Sequence, residues 1–326
     1  MLTARLPPSL DDRLAQLRDG SAAQAAAAAA LTERYRSGRS QAPVARSRSD
    51  VLAYATARLP ATYAALRTAL GELALRAPSL RPRSLLDLGS GPGTAVWAAC
   101  DTWDGIDRAT TVEAEPEMAA LAVELGAPVP VNAVAGLLPG AMPGGRHDLV
   151  TIGYLLGEVH EAAARATLEA AWAATGGALV VVEPGTPDGY RRVLAARQLL
   201  LGLGARIAAP CPHDRDCPLA GAAGEWCHFA VRLPRSREHR AVKAASAAYE
   251  DEKLSYVACT REGAEPAADR VLRHPQVRPG HVSLDLCTAD GRVAVTVSKR
   301  DGGRYRAARK ADWGGSLDSP RAAESG

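Results

Sequence analysis

The chain has 326 residues and a net charge of +3, and 47% of its residues are hydrophobic, 23% charged and 4% aromatic. This mixture excludes collagen, a coiled coil and a wholly disordered chain, and no apolar run reaches the roughly 20 residues of a membrane-spanning helix, so no membrane partner is expected. At roughly 150 residues per domain, the length predicts about two domains.

Residues 1–80 are predicted to form an N-terminal helical region. Residues 21–31 are rich in alanine, the strongest helix former. Large apolar side chains then recur at helical spacing, at Leu52, Leu59, Tyr63, Leu66, Leu70 and Leu73. Asp50 is the expected N-cap, Pro60 is expected to break or kink the helix, and the Arg- and Ser-rich residues 37–49 are expected to form a mobile linker.

The N-terminus and the cysteines indicate the compartment. The first residues lack the features of a secretory signal, and Asp11 and Asp12 disfavour a mitochondrial transit peptide. Six cysteines without such a signal indicate a reducing compartment. The expected location is the cytoplasm of a bacterium, or the mitochondrion only if the source is eukaryotic.

Residues 81–205 are predicted to form one α/β domain. Short apolar runs alternate there with helix-like stretches. The predicted strands are 85–88, 110–113, 149–152 and 178–183, and the predicted helices are 94–100, 116–125 and 162–174. Such alternation is typical of a doubly wound parallel sheet covered by helices.

A glycine-rich turn follows the first of these strands, in the sequence Leu-Leu-Asp-Leu-Gly-Ser-Gly-Pro-Gly-Thr. Glycine permits positive φ and lets the backbone approach a ligand closely, and helix N–H groups point into the same crevice. A dinucleotide site would have G-x-G-x-x-G, but here the third glycine comes one residue early. A tight turn without a ligand is the alternative to a binding site.

This turn resembles motif I of class I S-adenosylmethionine-dependent methyltransferases. The next strand ends in Glu113, about 20 residues after the glycines, where that family has the acid that binds the ribose hydroxyls. The resemblance implies an S-adenosylmethionine site formed by Asp87, Gly89, Ser90, Gly91, Gly93 and Glu113. Asp148 also matches the family, in which this residue is often structural.

No catalytic residue is predicted. Residues 153–158 lie where the substrate-facing motif would be, but they contain neither Asn/Asp-Pro-Pro-aromatic nor the Pro-Cys nucleophile of cytosine-C5 enzymes. Methyl transfer is therefore an open expectation, which would depend on positioning an RNA nucleophile beside the cofactor.

Three cysteines, Cys211, Cys217 and Cys227, lie within 17 residues at the spacing C-x5-C-x9-C. The spacing matches neither common zinc ribbons nor bacterial ferredoxins, so iron–sulfur, zinc and incidental thiols all stay open. Thiolates are soft ligands that suit zinc or iron–sulfur. A fourth ligand would come from Cys259, Cys287, His213 or His228.

The order of motifs beyond the methyltransferase-like domain resembles the methyltransferase-like assembly factors of the mitochondrial small ribosomal subunit and their bacterial relatives. The matching segments are Pro-Cys-Pro-His-x3-Cys-Pro, Trp-Cys-His-Phe, the acidic 249–257 and Leu-Cys-Thr-Ala-Asp-Gly. The resemblance implies a [4Fe–4S] cluster on Cys211, Cys217, Cys227 and Cys287, with zinc as the alternative. Cys259 has no counterpart, Cys100 is expected in a helix core, and the two histidines are not expected to be ligands.

Residues 206–313 are predicted to be a cysteine-containing, β-rich and basic extension. Asp290-Gly291 between two apolar runs predicts a hairpin of 281–288 and 292–299. Residues 231–310 contain 17 Lys and Arg against 10 Asp and Glu, a net charge of +7, which indicates either a polyanionic partner or a solvated face. The basic residues form two clusters: Arg232, Arg235, Arg237, His239, Arg240 and Lys243, and Lys299, Arg300, Arg304, Arg306, Arg309 and Lys310. Residues 314–326 are expected to be a disordered tail.

The predicted fold is therefore α/β, with a class I methyltransferase sheet between a helical N-terminal region and the basic extension. The predicted function is that of an S-adenosylmethionine-dependent methyltransferase-like protein acting on small-subunit ribosomal RNA. The alternatives are a non-catalytic assembly factor that keeps the cofactor site and a zinc-stabilised RNA-binding module. A monomer is expected.

Overall fold

The computed structural model describes residues 5–17, 26, 47–234 and 249–317. The helices are α1 (Pro8–Leu17), α2 (Arg48–Arg76), α3 (Thr94–Cys100), α4 (Pro116–Leu125), α5 (Glu161–Ala174), α6 (Pro187–Gly202) and α7 (Gly303–Lys310). Strands β1 to β6 are Ser84–Leu88, Arg108–Glu113, Val131–Ala135, His147–Gly153, Thr175–Pro184 and Arg206–Ala209. Strands β7 to β12 are Phe229–Pro234, Tyr249–Thr260, Asp269–Val271, Gln276–Arg278, His281–Thr288 and Gly291–Ser298.

The larger sheet has the order β3-β2-β1-β4-β5-β8-β6, and β7 also pairs with β8. Strands β1 to β5 are parallel, whereas β8 runs antiparallel to β5. A parallel doubly wound sheet with one antiparallel strand inserted before the last is the class I methyltransferase arrangement. The fold class predicted from the sequence is confirmed.

Helices cover both faces of this sheet, and alternate side chains of its strands pack into two separate cores. Leu85 and Leu149 pack with α1, α2, α3 and α4 in one core, and Leu86 and Val150 pack with α5 and α6 in the other. Successive side chains of a strand point to opposite faces, so strands buried on both sides read as continuous apolar runs.

Helix α2 differs from the prediction in two ways. It runs continuously through Pro60, so the expected break is wrong, because the long buried face of α2 offsets the roughly 3 kcal/mol that an internal proline costs. Its N-cap is Ser47 rather than Asp50, and the Ser47 side chain accepts a hydrogen bond from the Asp50 N–H at 3.2 Å. The described helices include none that is long and apolar enough to span a bilayer.

Strand β8 holds the extension to the domain. One of its edges pairs with β5, and the other pairs with β6 and then with β7. The chain between β6 and β7, residues 210–228, therefore leaves the sheet and returns to it; we call it the cysteine loop. Strands β9 to β12 form a separate four-stranded antiparallel sheet, which contains the predicted hairpin between β11 and β12.

Several expectations fall wholly or partly outside the described residues. These are the Ala-rich residues 21–31 apart from residue 26, the linker 37–46, the basic residues Arg235, Arg237, His239, Arg240 and Lys243, and residues 318–326. Residues 314–317 differ from the expected disordered tail. Ser316 is 2% exposed, and its hydroxyl donates a hydrogen bond to Asp269 at 2.7 Å.

Candidate functional site

The glycine turn between β1 and α3 requires glycine for its backbone and for its contacts. Gly89, Gly91 and Gly93 have φ values of +70°, +52° and +78°, a region that L side chains rarely adopt. A Cβ at Gly89 would lie 2.9 Å from Cδ1 of Leu155, whereas a Cβ at Gly91 would meet nothing within 4 Å. The turn is therefore closed on one side and open at Gly91.

Glu113 joins the turn to the end of β2. Its Oε2 accepts a hydrogen bond from the Gly91 N–H at 2.6 Å, and its Oε1 accepts one from the Glu115 N–H at 2.8 Å. The N–H groups of Gly89 and Ser90 both donate to the carbonyl of Val112. Since a carboxylate has about four lone-pair sites, Glu113 can hold the turn and still accept from a ligand.

Asp87 lies beneath this turn and is 2% exposed. Its Oδ1 accepts a hydrogen bond from the Thr151 hydroxyl at 2.8 Å, and its Oδ2 has no partner in the described structure. Burial raises the pKa of Asp87 to about 7, with a smaller contribution from the charge of Glu113. A buried carboxylate oxygen without a partner is costly, so this position suits a ligand that carries N–H groups or positive charge.

Asp148 has a structural role. It lies at the start of β4, where one carboxylate oxygen accepts from the N–H of Arg83 and from both the N–H and the hydroxyl of Ser84. These bonds tie β4 to the start of β1 at the end of the sheet opposite the glycine turn.

The segment after β4 covers the turn and contains residues that the sequence did not single out. Tyr154 has a φ of 60°, and its hydroxyl donates to Glu252 on β8 at 3.2 Å. The N–H of Leu156 donates to Glu183 at 2.9 Å, and Leu155 packs on Gly89. A non-glycine residue at positive φ is strained, and such strain often accompanies functional sites.

The cysteine loop and the second sheet line one cavity that is partly open to solvent. All four cysteines predicted as metal ligands line it. The other lining residues are Pro210, Pro212, His213, Pro218, Leu219, Arg270 and Leu272. Cys211, Cys217 and Cys227 come from the cysteine loop, and Cys287 comes from β11, where it pairs with Arg270 of β9. The fold thus brings together residues that are up to 76 positions apart.

The thiols of the cavity influence one another. Burial raises the pKa of Cys227 well above its ordinary value, and the neighbouring Cys211, Cys217 and Cys287 raise it further. Burial likewise raises the pKa of Cys211 and Cys287. Four adjacent thiolates need a cation to neutralise their repulsion, so this set of sulfur donors suits a metal centre of the zinc or iron–sulfur type.

The side chains as they stand do not form a metal site. Within the described residues there is no group of three or more His, Cys, Asp or Glu side chains that could hold a metal ion. The predicted iron–sulfur cluster is therefore not confirmed and stays a prediction. Among the other candidates, Cys259 is fully buried in β8 and Cys100 ends α3, and neither lines the cavity.

The two candidate histidines differ in position. His213 lines the cavity, with its Nε2 3.8 Å from Sγ of Cys287. His228 is instead stacked on Trp226, with ring centroids 4.8 Å apart, and lies edge-on to Trp313. Its packing against two indole rings indicates a structural role for His228 in the cysteine loop.

Three further polar residues interact with the cysteines of the cavity and were not predicted. The hydroxyl of Tyr190 lies 3.3 Å from Sγ of Cys217. Arg197 on α6 and Arg270 on β9 are 3% and 1% exposed, and both lower the pKa of Cys211 against the larger effect of burial. Large buried arginines are rare unless they are paired, but a single sequence does not reveal which arginines will be buried.

Helix α7 and the turn before it carry a cluster of cations in the described part of the basic extension. Tyr305 and Ala308 are buried against β11 and β12. The exposed basic side chains are Lys299, Arg300, Arg304, Arg306, Arg309 and Lys310. Arg232, the described member of the other cluster, is paired with Asp251 at 2.9 Å and stacks on Tyr249. Helix α7 and the turn before it therefore form a basic surface that the described residues offer to a polyanion.

A class I methyltransferase sheet with a glycine turn and an added cysteine cavity places the chain among the methyltransferase-like proteins. The chain belongs to the family of the mitochondrial small ribosomal subunit protein Rsm22, whose model matches residues 48–318. It is 32% identical over 288 residues to the human mitochondrial ribosome assembly protein METTL17, covering 81% of this chain and 61% of that protein. It is 26% identical over 326 residues to the Rsm22-cox11 tandem protein 2 of Schizosaccharomyces pombe, covering 81% of this chain and 42% of that protein. The chain thus spans about half the length of these relatives.

Solved structures with a similar fold are distant in sequence. An O-methyltransferase family protein from Burkholderia thailandensis has a TM-score of 0.43 and 15% identity, covering 67% of this chain and 61% of its own. Magnesium protoporphyrin IX methyltransferase from Synechocystis has a TM-score of 0.41 and 14% identity, covering 71% and 94%. The fold is therefore assigned from strand order and family, and these structures assign no ligand to this chain.

Proposed function

We propose that this chain is a small-subunit ribosome assembly factor that binds S-adenosylmethionine at the glycine turn and a [4Fe–4S] cluster at the cysteine cavity. The observation that carries the proposal is the meeting of Cys211, Cys217 and Cys227 with Cys287 at one cavity, in a chain of the Rsm22 family. The name of the human relative, a ribosome assembly protein, supports the assembly role.

The cofactor site would be formed by the ends of β1 and β2. Gly89, Gly91 and Gly93 would let the cofactor approach the backbone, and Glu113 would accept from the ribose hydroxyls. The Oδ2 of Asp87, which has no partner among the described residues, would accept from the positively charged α-ammonium group of the cofactor. When bound, S-adenosylmethionine supplies a methyl carbon that its sulfonium charge makes electrophilic.

The cluster would be held by the four cysteines of the cavity. Cys287 would attach the second sheet to the cysteine loop, so the cluster would join the two parts of the extension. Zinc remains the alternative occupant, because it also accepts four cysteine ligands.

Ribosomal RNA would contact helix α7. Its arginines are exposed, whereas Tyr305 and Ala308 are buried and attach the helix to the second sheet. Lys and Arg that neutralise phosphates give affinity that does not depend on sequence and falls with salt. The rRNA-contacting region would thus be residues 206–313. The rest of the chain would comprise the helical region 1–80, the methyltransferase-like domain 81–205 and the tail 314–326.

A non-catalytic role is the second candidate, and the segment after β4 favours it. Leu155 packs on the turn at Gly89, and its neighbours Tyr154 and Leu156 are bonded to Glu252 and Glu183. The segment contains neither the Pro-Cys nucleophile nor an Asn/Asp-Pro-Pro motif. We expect a monomer that acts in the bacterial cytoplasm, or in mitochondria if the source is eukaryotic.

The cluster is tested by purifying the protein without oxygen and measuring iron, zinc and the visible spectrum. We expect about four irons per chain and an iron–sulfur spectrum. Cys287→Ser should lose most of this iron, and Cys217→Ser should lose iron and solubility, whereas Cys259→Ala should keep it, because Cys259 is buried away from the cavity. A colourless protein loaded with zinc would contradict the cluster.

Methyl transfer is tested separately with isotopically labelled S-adenosylmethionine and immature small subunits. Incorporation of label into the RNA, lost when cofactor binding is lost, would establish the enzyme. Tight cofactor binding without incorporation would establish the non-catalytic assembly factor.

A further inference from the structure

Two buried arginines flank the cysteine cavity from different elements. Arg270 lines the cavity on β9, in register with Cys287. Arg197 projects from α6 and donates to the carbonyls of His213 and Arg215, at 2.9 and 2.7 Å. Both carbonyls belong to the stretch between Cys211 and Cys217, so Arg197 holds that part of the cysteine loop in place.

The hydrogen bonds of these two guanidinium groups are incomplete. In Arg270, Nε donates to the carbonyl of Pro210 at 2.9 Å, and Nη1 donates to Glu72 at 3.0 Å and to the carbonyl of Gly314. Its Nη2 is buried and has no partner in the described structure, and the same holds for Nε of Arg197. Buried N–H groups without an acceptor are rare, because each one destabilises the folded state, and a charged group does so more strongly.

Sulfur ligands of a metal centre are acceptors for such donors. Reduction potentials of iron–sulfur clusters depend on net charge and on hydrogen bonds to the sulfurs. Outer residues that bond to metal ligands also orient them. Arginine stays protonated in proteins and accepts no hydrogen bonds, so both groups can only donate to the cavity.

We infer that Arg197 and Arg270 are positioning residues that donate these N–H groups to the sulfurs of the bound cluster and stabilise its reduced form. This inference rests on the proposed cluster. Arg197 donates to two neutral carbonyls and interacts with the Cys211 thiol, whereas Arg270 is paired with the carboxylate of Glu72. Arg197 therefore brings the larger net positive charge to the cluster.

The test measures the midpoint potential of the cluster by anaerobic redox titration, together with its iron–sulfur stretching frequencies by resonance Raman. Arg197→Gln removes the charge but keeps an amide N–H₂ that can donate, so the potential should shift to a lower value. Arg197→Lys keeps the charge, so its shift should be smaller. Arg270→Lys keeps the charge beside Glu72 but lacks Nη2, so its stretching frequencies should change. Arg165→Gln is the control, because the Arg165 side chain is 68% exposed on α5; it should change neither quantity.

The outcomes separate this inference from the proposed function. If the unaltered protein contains no iron, the cluster itself is wrong. If it contains the cluster, but folded Arg197→Gln and Arg270→Lys proteins have unchanged potentials and unchanged spectra, the two arginines do not bond to the sulfurs. Should Arg197→Gln fail to fold, Arg197→Lys and Arg270→Lys decide the question by the same two measurements.

Discussion

Single side chains set the electrostatics of the proposed cofactor site. Asp87 is buried with one unpartnered oxygen, and Glu113 is bonded to the backbone of the turn. The two carboxylates lie close enough for Glu113 to raise the pKa of Asp87. A ligand with positive charge would relieve this repulsion.

Asp87→Asn should make the free energy of unfolding of the unliganded protein less dependent on pH. The pKa of Asp87 is about 7 in the fold and 3.8 ordinarily. Between these two values the folded protein therefore keeps Asp87 protonated, whereas the unfolded chain does not. Stability should therefore fall as pH rises from about 4 to about 7, and the asparagine variant should lack this loss. Urea unfolding at about pH 5 and about pH 8 measures it, and equal pH dependence in both proteins would contradict the buried acid.

The same variant should bind S-adenosylmethionine more weakly at about pH 8, where Asp87 is ionised. The expected loss is roughly tenfold, the effect of one charge-assisted hydrogen bond. Calorimetric titration of both proteins with the cofactor measures the difference in affinity. The asparagine oxygen can still accept the hydrogen bond from the Thr151 hydroxyl.

Gly91→Arg should abolish cofactor binding while the protein stays folded. The new side chain would enter open space beside the turn and fill the crevice, with an expected loss of roughly 100-fold or more. Gly204→Arg is a matched control, since Gly204 also has positive φ and open space but follows α6. Unchanged affinity in the first variant would refute the site.

At the scale of elements, helix α7 is a basic helix attached by two side chains. Tyr305 and Ala308 are three positions apart and lie on one face, as the helical period requires. The arginines on the rest of the helix are exposed. The helix can therefore lose charge without losing its attachment.

A triple variant with Arg304→Gln, Arg306→Gln and Arg309→Gln should bind RNA more weakly. Its affinity for RNA should also depend less on salt concentration. The slope of log affinity against log salt should fall by about one for each phosphate that the protein no longer neutralises. A control with Arg165→Gln and Arg191→Gln, two arginines exposed on α5 and α6, should keep the slope. Binding to small-subunit RNA fragments at several salt concentrations measures both, and equal slopes would exclude α7 as the RNA-binding helix.

At the scale of the whole molecule, Arg270 connects parts that are distant in sequence. Its guanidinium bonds to Glu72 on α2, to Pro210 at the start of the cysteine loop and to Gly314 near the end of the described chain. Its own strand, β9, belongs to the second sheet. The helical region, the loop and the second sheet are thereby joined through one side chain.

Glu72→Ala should destabilise the whole molecule, because it leaves Arg270 charged and buried. The free energy of unfolding should fall by about 3–5 kcal/mol. Glu169→Ala removes an exposed partner of Arg165 and should change it by less than about 0.5 kcal/mol. Denaturant unfolding of the two variants checks this, and similar values would show that the buried pair does not support the fold.

The α/β class and the glycine turn could be predicted from the order of residues, because they depend on local periodicity and on backbone conformation. The residues alone left the fourth metal ligand open among Cys259, Cys287, His213 and His228, and only the family resemblance indicated Cys287. Helix α2 shows where local signals fail: Pro60 lies inside it, since burial of a long apolar face outweighs a local preference. The meeting of Cys287 with the cysteine loop, and the burial of Arg197 and Arg270 beside it, become visible only in the folded molecule. Burial and long-range pairing depend on how β8 and the second sheet pack, and the residues of one chain do not reveal that packing until they are brought together in space.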